Sequence, residues 1–239
     1  AALALAEQGF PVHLVERDEA LGGNLRHLHF GLVEFGIGGG LSDGKPASPG
    51  ELLADLEARL AADPLVTLHL ASELVASSGF MGNFASTLRD KDGRESEIRH
   101  GVVVVATGGR EYRGDEYGLG SRPDIVTQQE FETRLAADET PDEVVMIQCV
   151  GPAEKYCGRI CCTSALKNAL VLKRRHPESR ITILYKDIRT YGFKERLYTQ
   201  AREAGILFVR YDDGRPPLVP AVEPGERLAF MSAGAYGAV

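Results

Sequence analysis

The sequence is poor in three features, and each shortage excludes a class of protein. No apolar run approaches the ~20 residues that a membrane-spanning helix needs, and no secretory segment is visible at the N-terminus. Positive charge is also scarce, because 27 Lys and Arg face 34 Asp and Glu and leave a net charge of −7. Such an acidic chain is a poor general binder of nucleic acid. We therefore expect a soluble, cytoplasmic, globular protein with no nucleic-acid partner and no direct membrane span.

Cysteine is absent everywhere except in one segment of fourteen residues, which holds Cys149, Cys157, Cys161 and Cys162. Four thiolates in one loop is the usual number for a closed zinc site or a [4Fe-4S] cluster. Zinc sites are normally clipped by C-x2-4-C pairs, whereas the last two cysteines here are sequence neighbours, which favours the cluster. Zinc and free redox thiols remain alternatives. Disulfides are disfavoured because a chain of this size does not need them.

The first residues have the pattern of an incomplete nucleotide-binding unit. Residues 1–8 predict a helix that ends at Gly9, and residues 11–17 predict a short buried strand that ends in Glu16 and Arg17. This is typical of the second strand of a dinucleotide-binding βαβ unit, in which Glu16 accepts hydrogen bonds from a ribose. The G-x-G-x-x-G turn of such a unit would precede Ala1, so we expect an N-terminally truncated unit. An ordinary α/β edge with a surface glutamate is the alternative.

Two small-residue turns strengthen the nucleotide-binding interpretation. One is Gly22, Gly23 and Asn24, where a backbone without Cβ atoms can approach a cofactor closely, although a plain turn has the same composition. The other follows residues 101–105, which predict a fully buried parallel strand. It runs into Ala106, Thr107 and Gly108, and the segment resembles the strand that closes the FAD domain of flavoprotein disulfide reductases.

The residues between these turns predict a small β-meander. A helix is expected over 49–62, where leucines recur at helical spacing, and strands over 66–75, 84–89 and 96–99. The glycine-rich segment 36–40 lacks a preceding strand and the lysine and hydroxyl of a phosphate-binding loop, so we expect a surface loop there.

A second βαβ unit is predicted from residue 143, with a strand over 143–147, a helix over 163–175 and a strand over 180–185. In a pyridine-nucleotide reductase the turn after the first of these strands holds the NADPH pyrophosphate. Here the cysteines occupy that turn. The sequence therefore predicts that a metal site has replaced a nucleotide site.

Several of these segments together resemble the A subunit of heterodisulfide reductase, from residue 1 to about 213. The resemblance is carried by residues 102–109, 125–132, 146–151, 156–169, 183–192 and 208–212. It implies a thioredoxin-reductase-like fold with FAD near Glu16, Gly22, Gly23, Asn24 and 106–108, and a [4Fe-4S] cluster on the four cysteines. It also implies that Lys167 is a cation near the flavin, which would stabilise the reduced form. A solvated helix lysine is the alternative.

The expected domain division is a partial FAD-binding domain over 1–140, a second βαβ unit over 141–215 and a tail of uncertain origin over 216–239. Within that tail, residues 222–237 resemble the C-terminal β-domain of diaminopimelate decarboxylase. The barrel and Schiff-base lysine of that enzyme are missing, so we expect no decarboxylase activity.

The combined hypothesis is an oxidoreductase subunit that passes electrons between FAD and a [4Fe-4S] cluster and is inactive alone. Its expected partners are the other subunits of a heterodisulfide reductase-type complex and hydrogenase-, formate dehydrogenase- or quinone-linked electron-transfer proteins. A flavin-dependent pyridine nucleotide-disulfide reductase and a zinc-stabilised interaction module are the alternatives.

Overall fold

The computed structural model describes residues 1–37, 47–151 and 157–218 and the backbone of 230–231. The chain divides into two compact units. Unit 1 comprises Ala1–Arg26 and Gly50–Thr107, and unit 2 comprises His27–Pro49 and Gly108–Val239. Residues 27–49 and 108–140, which the sequence analysis grouped with the first domain, are thus part of unit 2. Most of the predicted tail, and Gly38–Gly40 of the glycine-rich segment, lie outside the described residues.

Unit 1 is built from a short parallel sheet and an antiparallel meander. Its elements are α1 (Ala2–Ala6), β1 (Val12–Val15), α2 (Pro49–Ala62), β2 (Val66–His69), β3 (Ser72–Phe80), β4 (Asn83–Asp90) and β5 (Glu95–His100). Strands β1 and β2 pair in parallel, and β3, β4 and β5 form the three-stranded antiparallel sheet. The predicted helix over 49–62 and the predicted meander are both present.

The predicted strand over 66–75 is two strands that belong to different sheets. The chain turns at Ala71, whose φ of +48° lies in the left-handed region. Before this turn β2 pairs with β1, and after it β3 pairs with β4. An apolar run cannot by itself reveal such a change of sheet, because both strands have the same side-chain alternation.

The prediction of a buried strand over 101–105 is wrong. Residues 102–109 have no regular secondary structure, and Val102 and Val105 are 70% and 78% exposed. A continuous apolar run is stable as a parallel strand only when neighbouring strands satisfy its backbone and both of its faces are covered. In the described parts of the chain, the parallel sheet of unit 1 contains β1 and β2 alone.

Unit 2 contains a four-stranded sheet with helices packed on it. Its elements are α3 (Gln128–Ala136), β6 (Glu143–Ile147), α4 (Cys161–Arg175), β7 (Arg180–Tyr185), α5 (Glu195–Glu203), β8 (Leu207–Arg210) and β9 (Phe230–Met231). The strand order is β8-β7-β6-β9, and all the pairings are parallel. The predicted second βαβ unit is confirmed as β6-α4-β7, with both strands at the predicted bounds. Helix α4 begins two residues earlier than predicted.

The core of unit 2 fixes β6 between two apolar clusters. Val144 and Met146 belong to the larger cluster, which includes residues of α3, α4 and α5, and Ile147 belongs to the smaller one. All three side chains are fully buried. Burial of a side chain of this size contributes about 1.5–3 kcal/mol. The end of β6, where the cysteine loop begins, is therefore rigidly placed.

Candidate functional site

The cysteines lie where β6 ends and α4 begins. Cys149 follows β6 by two residues, and Cys161 and Cys162 form the first turn of α4. Cys149 has a φ of +61°, a left-handed conformation that is uncommon for a residue with a Cβ. Strained backbone of this kind is concentrated at functional sites, so it supports a specific role for the Cys149 side chain. In a parallel βαβ unit the strand end and the helix start are adjacent, which brings the two ends of the loop together.

Hydrogen bonds show that the two ends of the loop converge. The thiols of Cys149 and Cys162 both donate to the carbonyl oxygen of Asp187, with Sγ–O distances of 3.9 and 3.8 Å. The backbone N–H of Arg189 donates to Cys162 Sγ at 3.5 Å. Cysteines thirteen positions apart in sequence are thus gathered around the loop that follows β7. A backbone N–H donor stabilises negative charge on the sulfur.

The thiols influence one another's ionisation. A hydrogen bond from Cys161 lowers the pKa of Cys162 to about 7. The same hydrogen bond, burial, and the charges of Cys162, Cys157 and Cys149 raise the pKa of Cys161. Thiols that influence one another in this way cannot all ionise unless a cation compensates their charge, and a bound metal ion or cluster can provide that charge. The set of donors therefore fits a thiolate-bound metal centre.

No three His, Cys, Asp or Glu side chains within the described ranges are arranged to hold a single metal ion. Thiolates around one zinc ion lie within about 4 Å of one another, given the Zn–S length of about 2.3 Å. The described cysteines are therefore not arranged as the ligands of one zinc ion. Residues 152–156, which precede Cys157 in the loop, lie outside the described residues.

Two buried polar side chains flank the cysteines, and sequence analysis missed both. The amide nitrogen and oxygen of Gln148 and the hydroxyl of Thr163 are buried without a hydrogen-bond partner among the described residues. Gln148 precedes Cys149, and Thr163 follows Cys162. Unpartnered buried polar atoms are rare in folded proteins and commonly mark a place where a bound group or water completes the structure. For Gln148 the sequence did offer a signal, because this polar residue directly follows the apolar strand residues 144–147.

In unit 1 the predicted flavin contacts include a position that requires glycine. Gly22 has a φ of +108°, and a Cβ there would lie 2.8 Å from Leu53 Cδ1 of α2. The next residue, Gly23, has a φ of +45° and begins a short 3-10 helix that contains Asn24. The glycine pair is therefore a tight turn packed on a helix, which leaves the backbone accessible.

The other predicted flavin contacts lie at the end of β1 and in the irregular segment 106–108. The Glu16 carboxylate accepts a hydrogen bond from the N–H of Asp18 at 3.0 Å, and Arg17 is exposed. Glu16 thus stands at the carboxyl end of a parallel strand, the edge at which nucleotides bind in α/β folds. Ala106, Thr107 and Gly108 are exposed, and Gly108 has a φ of +68°.

Lys167 is buried in an ion pair with Glu132 of α3. Its Nζ donates to Glu132 Oε1 at 2.6 Å and to the carbonyl oxygen of Phe30 at 3.0 Å, and only 4% of the residue is exposed. Burial lowers the pKa of Lys167, and the negative charge of Glu132 opposes that shift. The alternative of a solvated helix lysine is therefore wrong.

Glu132 is a buried charged residue that the sequence analysis missed. Its Oε1 also accepts from the backbone N–H of His29 at 2.8 Å and of Phe30 at 3.0 Å, so the ion pair holds this segment to α3 and α4. The signal was its position on the inward helical face, which has the spacing i, i+3, i+4, i+7 in Gln128, Phe131, Glu132 and Leu135.

Solved structures with a similar fold identify the architecture of the chain. Two solved structures share it over 98% of this chain with a TM-score of 0.55: bacillithiol disulfide reductase from Bacillus cereus, at 14% identity and 73% coverage of that chain, and T. acidophilum thioredoxin reductase, at 15% and 72%. The chain therefore has the thioredoxin-reductase-like Rossmann fold, as predicted. None of its described helices is both long and apolar enough to cross a membrane.

The similar sequences are more specific. The A subunit of ferredoxin/F(420)H(2)-dependent CoB-CoM heterodisulfide reductase from Methanosarcina acetivorans is 36% identical over 152 residues, which cover 51% of this chain and 19% of the relative. The A subunit of H(2):CoB-CoM heterodisulfide,ferredoxin reductase from Methanothermobacter thermautotrophicus is 33% identical over 150 residues, which cover 53% and 22%. No protein-family model matches the chain. The resemblance to the A subunit of heterodisulfide reductase is thus confirmed, and the chain spans about a fifth of the length of these relatives.

Proposed function

We propose that this chain is the electron-transferring region of a heterodisulfide reductase-type oxidoreductase subunit, in which the four cysteines hold a [4Fe-4S] cluster and unit 1 takes part in binding FAD. Cys149 and Cys162 lie at the two ends of the turn between β6 and α4, and both thiols donate to the carbonyl oxygen of Asp187. This convergence is the observation that carries the proposal. In a nucleotide-binding Rossmann unit that turn presents backbone amides to a pyrophosphate. Here it presents thiols.

In this proposal Cys149, Cys157, Cys161 and Cys162 are the cluster ligands. When bound, the cluster supplies one-electron redox chemistry, and FAD supplies the exchange between two-electron and one-electron steps. The protein contributes a site that is buried at Cys161 and Cys162 and has a backbone N–H donor at Cys162. Cys162 is 1% exposed, and the Arg189 N–H points at its sulfur. Both features favour a thiolate at Cys162 whose negative charge is stabilised by the Arg189 N–H rather than by water.

For FAD we propose Glu16 as the ribose acceptor, with Arg17, the turn Gly22-Gly23-Asn24 and residues 106–108 along the cofactor. The glycine requirement at Gly22 and the position of Glu16 at a strand end support this assignment. Lys167 is proposed as a cation that acts near the flavin. Its test is the flavin potential of Lys167→Met, measured on samples shown to be folded, which should fall because the variant loses a positive charge and leaves the negative charge of Glu132 uncompensated. We expect these 239 residues on their own to bind FAD weakly and to be inactive, because their sequence has no G-x-G-x-x-G turn for the pyrophosphate.

The names of the relatives, which mention ferredoxin, H(2) and F(420)H(2), support partners that transfer electrons. We propose that the chain works with other subunits of such a complex in the cytoplasm. Its electrons would pass to or from hydrogenase-, formate dehydrogenase- or quinone-linked proteins.

Metal analysis of anaerobically purified protein tests the proposal. We expect about four iron and about four sulfide per chain, as in a cubane on four thiolates. Cys161→Ser and Cys162→Ser should lose the cluster, whereas Ser164→Ala in the same helical turn should keep it. Stoichiometric zinc without sulfide would instead identify a zinc-stabilised module.

A pyridine nucleotide-disulfide reductase is the second candidate, favoured by the adjacent thiols of Cys161 and Cys162, the second of which has a pKa lowered to about 7, and by the fold that the chain shares with disulfide reductases. The two functions differ in their response to NADPH. We expect FAD-reconstituted protein to keep its oxidised-flavin absorption in excess NADPH, because thiols stand where a reductase binds the pyrophosphate. Rapid bleaching would favour the reductase.

A further inference from the structure

We infer that unit 2 carries a docking face for an acidic protein that delivers or accepts one electron at a time. This inference rests on the proposed function, since it supplies the redox partner of the cysteine centre. The docking face is defined by two segments that the hydrogen bond from the Arg189 N–H to Cys162 Sγ brings together: Arg159 and Ile160 before Cys161, and Tyr191, Phe193, Lys194 and Arg196 after the loop at Asp187.

The face exposes large apolar side chains. Ile160, Tyr191 and Phe193 are 44%, 56% and 75% exposed. Single exposed apolar residues are common, but a group that contains two aromatic rings is typical of a protein-protein interface. Phe193 lies in a short 3-10 turn that leads into α5, so the backbone that carries its exposed ring has regular secondary structure.

Positive charge surrounds these rings. The ammonium group of Lys194 lies 5.5 Å from the centre of the Tyr191 ring, and the guanidinium carbon of Arg196 lies 5.5 Å from the centre of the Phe193 ring. Within the described part of the chain neither cation forms an ion pair. Among the described residues these two cations thus differ from Arg189 nearby, which is paired with Asp187 at 2.7 Å.

The local charge is opposite to that of the whole chain. Lys186 is paired with Asp213 and Arg189 with Asp187, which leaves Lys194, Arg196 and Arg159 against Glu195, whereas the chain has a net charge of −7. An acidic carrier would be repelled by the net charge and attracted by this face. Charge complementarity of this kind sets the orientation of an encounter and accelerates it. It therefore selects an acidic partner over a basic one.

The face is directly linked to the cysteine centre. Ile160 precedes Cys161, and the N–H of Arg189, two residues before Tyr191, donates to Cys162 Sγ at 3.5 Å. A carrier docked here is therefore close to two of the proposed ligands. A cluster held by these cysteines would exchange one electron with the carrier, in either direction, so that one of the two is oxidised as the other is reduced.

Calorimetric binding of an acidic two-cluster ferredoxin, used as the probe at low and at high salt, tests the face without relying on turnover. We expect the Lys194→Glu/Arg196→Glu double variant to bind at least ~10-fold more weakly at low salt, with a shallower salt dependence. The matched control is Arg94→Glu/Arg99→Glu, which changes the net charge equally at side chains that are 80% and 81% exposed in unit 1. The control should keep the wild-type affinity. Equal losses in both variants, or none, would overturn the inference.

A second variant separates shape from charge. Tyr191→Ala/Phe193→Ala should weaken binding and leave the salt dependence unchanged, because aromatic anchors contribute by apolar burial. Self-association of the chain through this face, seen as a dimer that the same variant abolishes, would contradict the inference.

Iron and sulfide are assayed on the same samples. Protein that contains the cluster but binds ferredoxin equally well in both charge variants would refute the docking face alone. Protein that lacks the cluster but loses binding only in Lys194→Glu/Arg196→Glu would refute the proposed function and support the face.

Discussion

Two valine-rich runs of this chain, one in each unit, start from similar sequences and reach different structures. In unit 1 the valines of 102–105 are exposed and pair with none of the described strands, whereas in unit 2 the apolar run of β6 is buried between strands and helices. Both runs satisfy the same sequence criterion for a buried parallel strand. The difference shows that such a strand is defined by its neighbours, because its backbone groups and both its faces need partners.

Ion pairs differ between the units in the same way. Lys167 and Glu132 are buried in unit 2, whereas Arg59 and Glu7 of unit 1 form an exposed pair at 3.1 Å. We expect Lys167→Met to destabilise unit 2 by about 3–5 kcal/mol, because it leaves a buried carboxylate without its counter-charge. Arg59→Met should cost less than about 1 kcal/mol. Unit-resolved hydrogen exchange under native conditions measures both.

The double variant Lys167→Met/Glu132→Leu is the control for this prediction. Removing both charges should restore much of the stability, since the uncompensated charge is then absent. A double variant as unstable as Lys167→Met would show that the segment at His29 and Phe30 depends on the pair for its hydrogen bonds, not for its charge balance.

Matched valine substitutions compare the two runs directly. Val144→Ala should destabilise unit 2 by about 2 kcal/mol, because the lost methyl groups leave a cavity in a closed core. Val104→Ala, at a position that is 57% exposed, should change stability by less than about 0.5 kcal/mol. Denaturant unfolding, followed by a probe in each unit, gives both values. Similar losses at the two positions would mean that Val104 is buried in solution.

Glycine substitutions sharpen the comparison within unit 1. Gly22→Ala combines an unfavourable φ with a contact to Leu53, so we expect a loss of about 1–3 kcal/mol. Gly23→Ala, where a Cβ meets nothing within 4 Å, should cost only the backbone strain of about 1 kcal/mol. Thermal unfolding of both variants distinguishes them, and equal losses would contradict the packing of this turn on α2.

The smallest expected effect concerns Glu111 of unit 2. Burial raises the pKa of this carboxyl, while hydrogen bonds from Thr127 and Gln129 oppose the shift. The folded state therefore binds more protons than the unfolded state above pH 4.5, and stability falls as the pH rises through the raised pKa. Glu111→Gln should flatten this dependence and stabilise the protein at pH 7 by less than about 1 kcal/mol. Unfolding free energies between about pH 4 and pH 8 test the sign, and an unchanged slope would contradict it.

The sequence by itself determined the elements whose signals are local. Helix α2, strands β6 and β7 and the meander β3–β5 follow from side-chain periodicity and turn residues, and the cysteine cluster follows from spacing. These were predictable because hydrophobic period, glycine and thiol chemistry act over a few residues. The same local signals identified the resemblance to the A subunit of heterodisulfide reductase.

Only the tertiary structure decided the rest. It left residues 102–105 exposed, separated β2 from β3, and paired Lys167 with Glu132 across 35 positions of sequence. It also brought Asp187 and Arg189 to the cysteines and left Gln148 and Thr163 buried beside them. Each of these outcomes depends on which distant groups become neighbours, and burial and charge compensation are properties of that arrangement, not of the sequence around each residue.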